Sequence, residues 1–323
     1  MTGAPEATPA SPGAAEREPA GVSAGLDVLV VAYHSGAVLG QSLGALSAFV
    51  PDGTRILVLD NSPDDPSAAA AVAATPGAEL LPQAGNVGFA VAVNDGLRHG
   101  TGELVLLLNP DIFSIDGSFE SVRELFATVP DAGAVAVHMT NGEGVLEHCR
   151  RRPRRLDFFD GSIGLRRLLP ARLARPISPM LEWDHADVRA VDNATGALLF
   201  LRRAAIDDVG ALDERFFMYW EETDWLVRAR SRGWRLLFTP EVRAVHGGRQ
   251  GAEVAHNTHS LLFLESGSRY VHKHFGAGMA VLVRLAWIVA DSARLVRGRG
   301  RPAAYRDEIR ERLRFHLGLR PAR

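Results

Sequence analysis

The side chains best suited to chemistry are acidic groups that follow apolar, β-like runs. Asp60 ends the run RILVLD, and its carboxylate could accept hydrogen bonds from a ribose or a base. An Asx turn that closes the strand is the simpler alternative for this residue. Asp111 follows the run ELVLLLN and an Asn-Pro pair. One fixed carboxylate beside a diphosphate meets the needs of Mg²⁺ or Mn²⁺, although Pro and Asp also form turns.

A third acidic cluster, Glu221 to Asp224, holds three carboxylates in four residues. Its aromatic neighbours are Phe216, Phe217, Tyr219, Trp220 and Trp225. Acidic side chains in the first turn of a helix stabilise it by about 0.3–1 kcal/mol each. A partly desolvated carboxylate with a raised pKa would instead suit a general base that takes a proton from a hydroxyl. The spacing alone leaves both interpretations open.

Two glycine-containing segments are suited to phosphate. Gly85–Ala90 is a turn that leads into a predicted helix, and helix N-termini bind anions through their free N–H groups. His246 precedes Gly247 and Gly248, and glycine lets the backbone approach a phosphate closely. Neither a G-x-G-x-x-G fingerprint nor a Walker P-loop occurs in the sequence, which argues against a dehydrogenase or a P-loop NTPase.

An alternation of strands and helices must position these side chains. The predicted strands of the first part are Asp27–Tyr33, Arg55–Asp60, Glu79–Leu81 and Glu103–Asn109, with helices Val38–Phe49, Ala68–Ala74 and Ala90–Arg98 between them. Strands that are apolar on both faces and separated by helices indicate an α/β fold with a mostly parallel sheet. Ligands of such sheets bind at the carboxyl ends of the strands, where Asp60 and Asp111 lie.

The second part of the chain is less regular. The predicted elements are a strand over Ala197–Arg202, a helix over Glu221–Ser231, a strand over Trp234–Thr239 and helices over Val254–Phe275 and Met279–Arg297. Arg150–Pro179 is basic and contains prolines, which predicts a loop or short helices.

Composition narrows the class of protein. The 323 residues carry a formal charge of −2, which gives no general attraction to nucleic acid. Arginine is concentrated in two segments: Arg150–Arg175 has nine arginines and two acids, and Arg284–Arg323 has eleven arginines and four acids. Cys149 is the single cysteine, which excludes an intrachain disulfide and a cysteine zinc site. Residues 1–24 lack an apolar core segment and are predicted to be a disordered leader, consistent with a cytoplasmic protein.

The predicted helix Met279–Arg297 is amphipathic. Val281, Leu285 and Trp287 are expected on the face opposite Arg284, Arg294 and Arg297. Such a helix can lie in a membrane surface, where each arginine near anionic lipid contributes about 1 kcal/mol. Packing of the tail on the body of the protein or on a second subunit is the alternative.

Seven motifs occur in a fixed order between about Leu26 and Gly276: VVAYHSGAVL, VLDNSPDD, GNVGFAVAVNDGL, LLLNPDI, GALLFLRRAAIDDVGALDERFFMYWEETDWLVRARSRGW, AVHGG and RYVHKHFG. In this order they resemble the family 2 glycosyltransferases with the GT-A fold, and look most like bacterial rhamnosyltransferases of cell-surface glycan synthesis. The resemblance implies a GT-A catalytic domain over residues 25–276, followed by an amphipathic, basic helical tail over residues 277–323.

The resemblance also implies roles for individual residues. The nucleotide-sugar would contact Asp60, Asn86, Gly88, Asn94, Asn109 and Asp111; Mg²⁺ or Mn²⁺ would be held by Asp111 and His246; the acceptor would lie along Gly196, Ala197 and Trp220. Glu222 matches the position of the family's catalytic base, but Glu stands where Asp is usual. Its extra methylene moves the carboxylate by about an ångström, and such a displacement can cost ~10²-fold in rate. Asp224 and Glu221 are therefore alternative bases.

The activity implied is metal-dependent sugar transfer with inversion. The expected donor is dTDP-rhamnose, or else a UDP-sugar, and the expected acceptor is a glycan on a polyprenyl diphosphate at the inner face of the cell membrane. A sugar-nucleotide pyrophosphorylase is a second interpretation, but it would carry a Gly-rich basic loop where this chain has His34-Ser35-Gly36-Ala37. A glycosyltransferase-like binding protein without turnover is a third.

Overall fold

A computed structural model describes residues 25–159, 179–247, 256–298 and 300–319. The predicted leader and most of the predicted loop Arg150–Pro179 lie outside these described residues, as do Gly248 and the first two residues of the predicted helix Val254–Phe275.

Strands and helices alternate through the first part of the chain, as the sequence predicts. The strands are β1 (Leu26–Ala32), β2 (Arg55–Asp60), β3 (Ala78–Pro82), β4 (Leu104–Leu108), β5 (Ile112–Asp116), β6 (Ala132–Asn141), β7 (Arg189–Val191), β8 (Leu198–Arg202) and β9 (Arg235–His246). The helices are α1 (Gly36–Phe49), α2 (Ser67–Ala73), α3 (Phe89–His99), α4 (Phe119–Thr128), α5 (Arg203–Val209), α6 (Glu221–Ser231), α7 (His256–Phe275), α8 (Ala277–Arg297) and α9 (Ala303–His316).

One sheet organises the molecule. Its order is β3-β2-β1-β4-β8-β6-β9-β5, with β7 beside β9. The block from β3 to β4 is parallel, as predicted, whereas β8 runs antiparallel to both β4 and β6. Strands β5, β6 and β7 are not predicted from the sequence. β5 and β7 are short, and β6 begins with Ala and Gly residues, which have a low preference for strands.

Apolar side chains cover both faces of the sheet. Because successive strand residues point to opposite faces, Val28 and Val30 pack with α1, whereas Leu29 packs with α3. All of these side chains are buried. The helices on either face turn the chain so that β1, β2 and β4 end at one edge, where Ala32 pairs with Asp60 and Val30 with Leu108.

The helical tail packs on the body of the protein. Val283 of α8 is buried, and the Trp287 indole N–H donates to the Phe158 carbonyl at 3.1 Å. Arg284 donates to the carbonyls of His316 and Phe315 at the end of α9. A small apolar cluster around Phe158 therefore joins α8 to the body of the protein.

Part of the prediction for this helix is consequently wrong. Trp287 faces inward, and Arg284 and Arg294 bind protein groups, the latter through Asp291 at 2.6 Å. The outer face of α8 carries five apolar side chains that are each more than half exposed: Val281, Leu282, Leu285, Val289 and Val296. In the part of the chain that the structure describes, no helix is long and apolar enough to span a membrane.

Candidate active site

Asp111 and His246 meet at one edge of the sheet. Strand pairing places Ile112 opposite His246, so the residue before β5 lies beside the last residue of β9. The Asp111 Oδ1 and His246 Nε2 atoms are 3.2 Å apart, and the amide nitrogen of Asn109 is 3.4 Å from the same ring nitrogen. The Gly247 N–H donates to the Asp111 carbonyl at 2.7 Å, which fixes the turn. The three polar side chains that the sequence predicts around a cation and diphosphate therefore lie together.

Glu147, which the sequence analysis missed, holds the other side of His246. The Nδ1–H donates to Glu147 Oε1 at 2.8 Å. Burial disfavours the charged ring, but the hydrogen bonds to Asp111 and Glu147 outweigh it and raise the pKa of His246 to about 10. Nothing in the local sequence around Glu147 indicates a functional role, because only the folded sheet brings this residue to His246.

These groups fit a divalent cation. Metal binding would require His246 to release the Nε2 proton that its raised pKa retains. Nδ1 would keep its hydrogen bond to Glu147, and Nε2, 3.2 Å from Asp111 Oδ1, would be the ligand atom. Within the described ranges no group of three or more His, Cys, Asp or Glu side chains forms a metal site. A cation at Asp111 and His246 would thus take its remaining ligands from a diphosphate and water, as Mg²⁺ commonly does.

The predicted nucleoside end combines structural and unsatisfied groups. Asp60 is buried and its Oδ1 accepts from the Ser62 N–H at 2.9 Å, which is the Asx turn weighed in the sequence analysis. The neighbouring Asn61 donates to the Gly88 carbonyl at 3.3 Å, but its buried Oδ1 has no partner among the described residues. A buried acceptor without a donor costs free energy, so this oxygen is a natural partner for a ligand N–H or O–H.

The predicted ligand residues of the loop before α3 have structural roles. Asn86 accepts from the Gly88 N–H at 3.2 Å. Gly88 has φ +89°, and a Cβ there would lie 2.6 Å from the Phe217 carbonyl oxygen, so only glycine fits. Asn94 is buried, donates to the Leu212 carbonyl at 2.9 Å and accepts from the Leu212 N–H at 3.0 Å. This geometry contradicts a direct donor contact by Asn94, because its amide ties α3 to the loop before α6.

Two strained residues precede the acidic helix α6. Tyr219 and Trp220 have φ of 68° and 71°, a left-handed conformation that costs non-glycine residues about 1–3 kcal/mol each. The Trp220 ring contacts the rings of Phe158 and Tyr270 at centroid distances of 5.4 and 5.0 Å, and this packing holds the turn in place. The strain fixes the direction in which α6 starts and therefore where its acids point.

Asp224 is a structural residue, which contradicts its prediction as a catalytic base. It is fully buried and accepts hydrogen bonds from Arg228 at 2.9 Å, Lys273 at 2.8 Å and His274 at 2.8 Å. Burial raises its pKa, but the bonds from these three groups outweigh burial and lower it. A carboxylate held by three donors is a poor proton acceptor.

Glu221 and Glu222 have the opposite electrostatics. Burial and the charge of Glu222 raise the pKa of Glu221 well above its ordinary value, and its buried Oε2 has no partner in the described residues. Burial also raises the pKa of Glu222, although its backbone environment and Arg150 act against this. Glu222 is the less buried of the two, so it is the more accessible acid.

The segment Gly196–Ala197 connects the two halves of the site. A Cβ on Gly196 would lie 3.4 Å from the Glu222 side chain, so the acid rests against this glycine. The next carbonyl, that of Ala197, accepts from the Asn109 N–H at 2.8 Å. Gly196 and Ala197, two of the predicted acceptor residues, therefore lie between Glu222 and Asn109, whereas the third, Trp220, packs against Phe158 and Tyr270. Asn94 and Asp224 have structural partners instead.

Comparison with protein families identifies the sequence pattern. Residues 24–263 match the family model described as glycosyltransferase like family 2. N-acetylglucosaminyl-diphospho-decaprenol L-rhamnosyltransferase of Mycobacterium tuberculosis is 29% identical over 266 residues, which cover 74% of this chain and 83% of that protein. The low-salt glycan biosynthesis hexosyltransferase Agl10 of Haloferax volcanii is 29% identical over 168 residues, 50% of this chain and 49% of that protein.

Solved structures agree on the fold. The mannosyltransferase PcManGT of Pyrobaculum calidifontis, solved with GDP-Man and Mn²⁺, superposes with a TM-score of 0.52 at 15% identity, over 93% of this chain and 81% of that one. GalNAc-T7, solved with UDP, GalNAc and Mn²⁺, superposes with a TM-score of 0.56 at 11% identity, over 93% and 57%. The GT-A fold that the sequence motifs imply is confirmed.

Proposed function

Because the chain belongs to glycosyltransferase family 2, we propose that it transfers rhamnose from dTDP-rhamnose to a hydroxyl of a glycan on a polyprenyl diphosphate. The sugar and acceptor are taken from the name of the mycobacterial relative. The observation that carries the proposal is the segment Gly196–Ala197, which contacts the half-buried Glu222 on one side and Asn109 on the other. A base that lies next to a diphosphate site suits a direct displacement of the diphosphate by the acceptor hydroxyl.

The residues would divide the reaction as follows. Glu222 takes the proton of the acceptor hydroxyl as that oxygen forms a bond to the anomeric carbon, with inversion there. The bond from that carbon to the diphosphate breaks, and the nucleoside diphosphate leaves with the electron pair. Asp111 and His246 would hold Mg²⁺ or Mn²⁺, which supplies charge stabilisation to the leaving diphosphate. Asn61 offers an unsatisfied acceptor to the base or ribose of the donor.

Rhamnose transfer with a panel of donors tests this proposal. We expect the purified chain with Mn²⁺ to transfer sugar from dTDP-rhamnose, and not from UDP-glucose or GDP-mannose, to a diphosphate-linked N-acetylglucosamine acceptor. Asp111→Asn should abolish transfer and the thermal stabilisation by dTDP and Mn²⁺, which at 100 times Kd is about 2.7 kcal/mol for wild type. Asp116→Asn removes the same charge at an exposed position and should change neither.

Three results contradict parts of the proposal. Transfer only from a donor other than dTDP-rhamnose would show that the proposed sugar is wrong. Full activity of Asp111→Asn, or of wild type in the presence of a chelator, would contradict the proposed role of the metal. Donor binding without transfer to any acceptor would favour the binding protein without turnover. Membership of glycosyltransferase family 2 argues against the pyrophosphorylase interpretation.

We also propose that the outer face of α8 rests on the membrane that carries the acceptor, at its inner surface. Five exposed apolar side chains share this face. Single exposed apolar residues are common on protein surfaces, whereas a continuous stripe of them marks an interaction surface. The test is flotation with anionic liposomes. Leu285→Ser with Val289→Ser should weaken binding, whereas Arg98→Gln with Arg232→Gln should not; equal flotation of the first variant and wild type would refute the contact.

A further inference from the structure

A basic cleft lies beside α6, outside the set of residues predicted from the sequence. Its volume is about 420 Å³, and its charged walls come from two segments of the chain. The lining residues used here are Arg152, Arg154, Arg155, Asp192, Arg230 and Phe275. Four guanidinium groups thus face one carboxylate, and no role assigned above uses them.

Most of this positive charge has no acidic partner in the described part of the chain. Arg230 forms an ion pair with Asp192, whose other oxygen accepts from the Arg152 backbone N–H at 3.1 Å. Among the described residues, no carboxylate lies within ion-pair distance of the Arg152, Arg154 or Arg155 guanidinium. Like charges held together repel one another, so a cleft of this kind favours a multivalent anion.

The cleft is fixed relative to the candidate base. The backbones of Arg150 and Asn193 exchange hydrogen bonds of 2.7 and 2.9 Å, and the Asn193 amide donates to Thr223 Oγ1 at 3.1 Å. Thr223 follows Glu222 in α6, and Arg230 lies on the same helix. Eight residues separate Glu222 from Arg230, which is ~12 Å along the axis, and helix side chains lean back toward the N-terminus.

We propose that this cleft binds the diphosphate that joins the acceptor sugar to its lipid. The inference rests on the proposed function and assigns that substrate a subsite. The donor diphosphate already has a place at Asp111 and His246, across the Gly196–Ala197 segment from Glu222. When the acceptor hydroxyl lies at Glu222, the diphosphate of the same acceptor extends away from the Asp111–His246 pair and toward Arg230. Guanidinium groups bind phosphate oxygens in pairs, which suits a diphosphate.

The junction with the tail fits the same substrate. Phe275, the last residue of α7, lines the cleft and lies 5.9 Å from the Arg155 guanidinium. The helix α8 starts two residues later and carries the exposed apolar stripe. One lipid-linked acceptor could then place its lipid chain near the apolar stripe of α8 and its diphosphate in the cleft.

The experiment compares two acceptors in solution. N-acetylglucosamine is joined either through a diphosphate to a short water-soluble prenyl chain or directly to an octyl group. For Arg154→Gln with Arg155→Gln we expect the KM of the diphosphate acceptor to rise roughly 10- to 100-fold, because each lost contact is a charge-assisted hydrogen bond. The kcat, the donor KM and the kinetics of the octyl acceptor should not change. Arg98→Gln with Arg232→Gln is the control of equal charge.

Binding separates failure of this inference from failure of the proposed function. If wild type transfers rhamnose to neither acceptor, the proposed function fails, but calorimetry with farnesyl diphosphate still tests the cleft. We expect its Kd to rise at least about tenfold in the double variant. An unchanged Kd, or an equal loss with both acceptors, overturns the inference. Lost binding to phosphatidylglycerol vesicles with unchanged farnesyl diphosphate affinity would also overturn it, since the cleft would then recognise lipid headgroups.

Discussion

Exchanging Glu222 for Gln and Asp224 for Asn removes one charge from α6 in each case, but we expect two different defects. Residues two apart on a helix point about 200° apart, since each residue turns the helix by about 100°. Glu222 therefore rests against Gly196, whereas Asp224 faces α7 and its donors. The first change should reduce catalysis alone, and the second should reduce stability.

The loss of stability can be worked out for Asp224→Asn. Asp224 is fully buried and binds Arg228, Lys273 and His274. Removing one partner of a buried ion pair costs about 3–5 kcal/mol, because the remaining charge is left uncompensated. With an unfolding entropy of about 2.1 cal/mol/K per residue, this lowers the Tm by about 4–7 °C. Asp213 retains its own bond to Lys273 at 2.7 Å and keeps the loss near the lower end.

The catalytic loss can be worked out for Glu222→Gln. A positioned general base contributes on the order of 10²–10⁴-fold in rate, so kcat should fall by that factor. Burial raises the pKa of Glu222, and a neutral amide avoids the cost of charging this buried site. The Tm of the variant at pH 7 should therefore equal or exceed that of wild type. In wild type, kcat should rise with pH through the raised pKa of Glu222, and this limb should vanish in the variant.

The assay measures kcat and Tm for both variants and for Glu120→Gln, an exposed acid on α4 that serves as the control. The reasoning is refuted if Asp224→Asn keeps the wild-type Tm while its kcat falls as far as that of Glu222→Gln. Asp224 would then be the base, and its three donors would have to release it during turnover. Wild-type kcat in Glu222→Gln would refute the base assignment alone.

Three further changes test the supporting residues. Glu147→Gln should weaken Mn²⁺ binding about 10- to 100-fold in titrations with dTDP, because Glu147 orients His246; wild-type affinity would leave Glu147 without that role. Glu221→Gln should make the free energy of unfolding less dependent on pH. The raised pKa of Glu221 means that folded wild type keeps a proton that the unfolded chain releases, so wild type loses stability as the pH rises from the unfolded-state pKa toward the folded-state pKa. Urea titrations across this pH range should show a smaller decrease of the unfolding free energy with pH in the variant. Gly88→Ala should destabilise the protein by about 1–3 kcal/mol in the same titrations, since its Cβ meets the Phe217 carbonyl at 2.6 Å; an unchanged midpoint would show that the loop adapts.

The sequence predicts what depends on local pattern. The strands β2 and β4 are recognisable because their residues are apolar on both faces, and α6 is predicted at its observed bounds. The family resemblance assigns Asp111 and His246 to one site, and strand pairing brings these residues, 135 apart in the chain, to 3.2 Å from each other. The predicted tail helix also forms.

The sequence does not predict which polar side chains have internal partners. Asn94 has the composition of a ligand residue, but Leu212 satisfies its amide from a distant loop. Trp287 and Arg284 fit a membrane face by helical spacing until α9 and Phe158 supply their partners. In each case the deciding contact is tertiary, and helical or strand periodicity carries no record of it.

Helix α6 shows how a short sequence can hold acids with opposite properties. Glu222 rests against the uncharged Gly196, and burial raises its pKa; Asp224 meets three donors and its pKa is lowered. Environments that separate the pKa values of neighbouring acids assign one of them to proton transfer. Lys273, the single lysine of the chain, supplies one of the donors and bridges Asp213 to Asp224. A compact ammonium reaches two carboxylates without the planar geometry that a guanidinium imposes, so the charge that anchors α6 leaves Glu222 free to act on the opposite face.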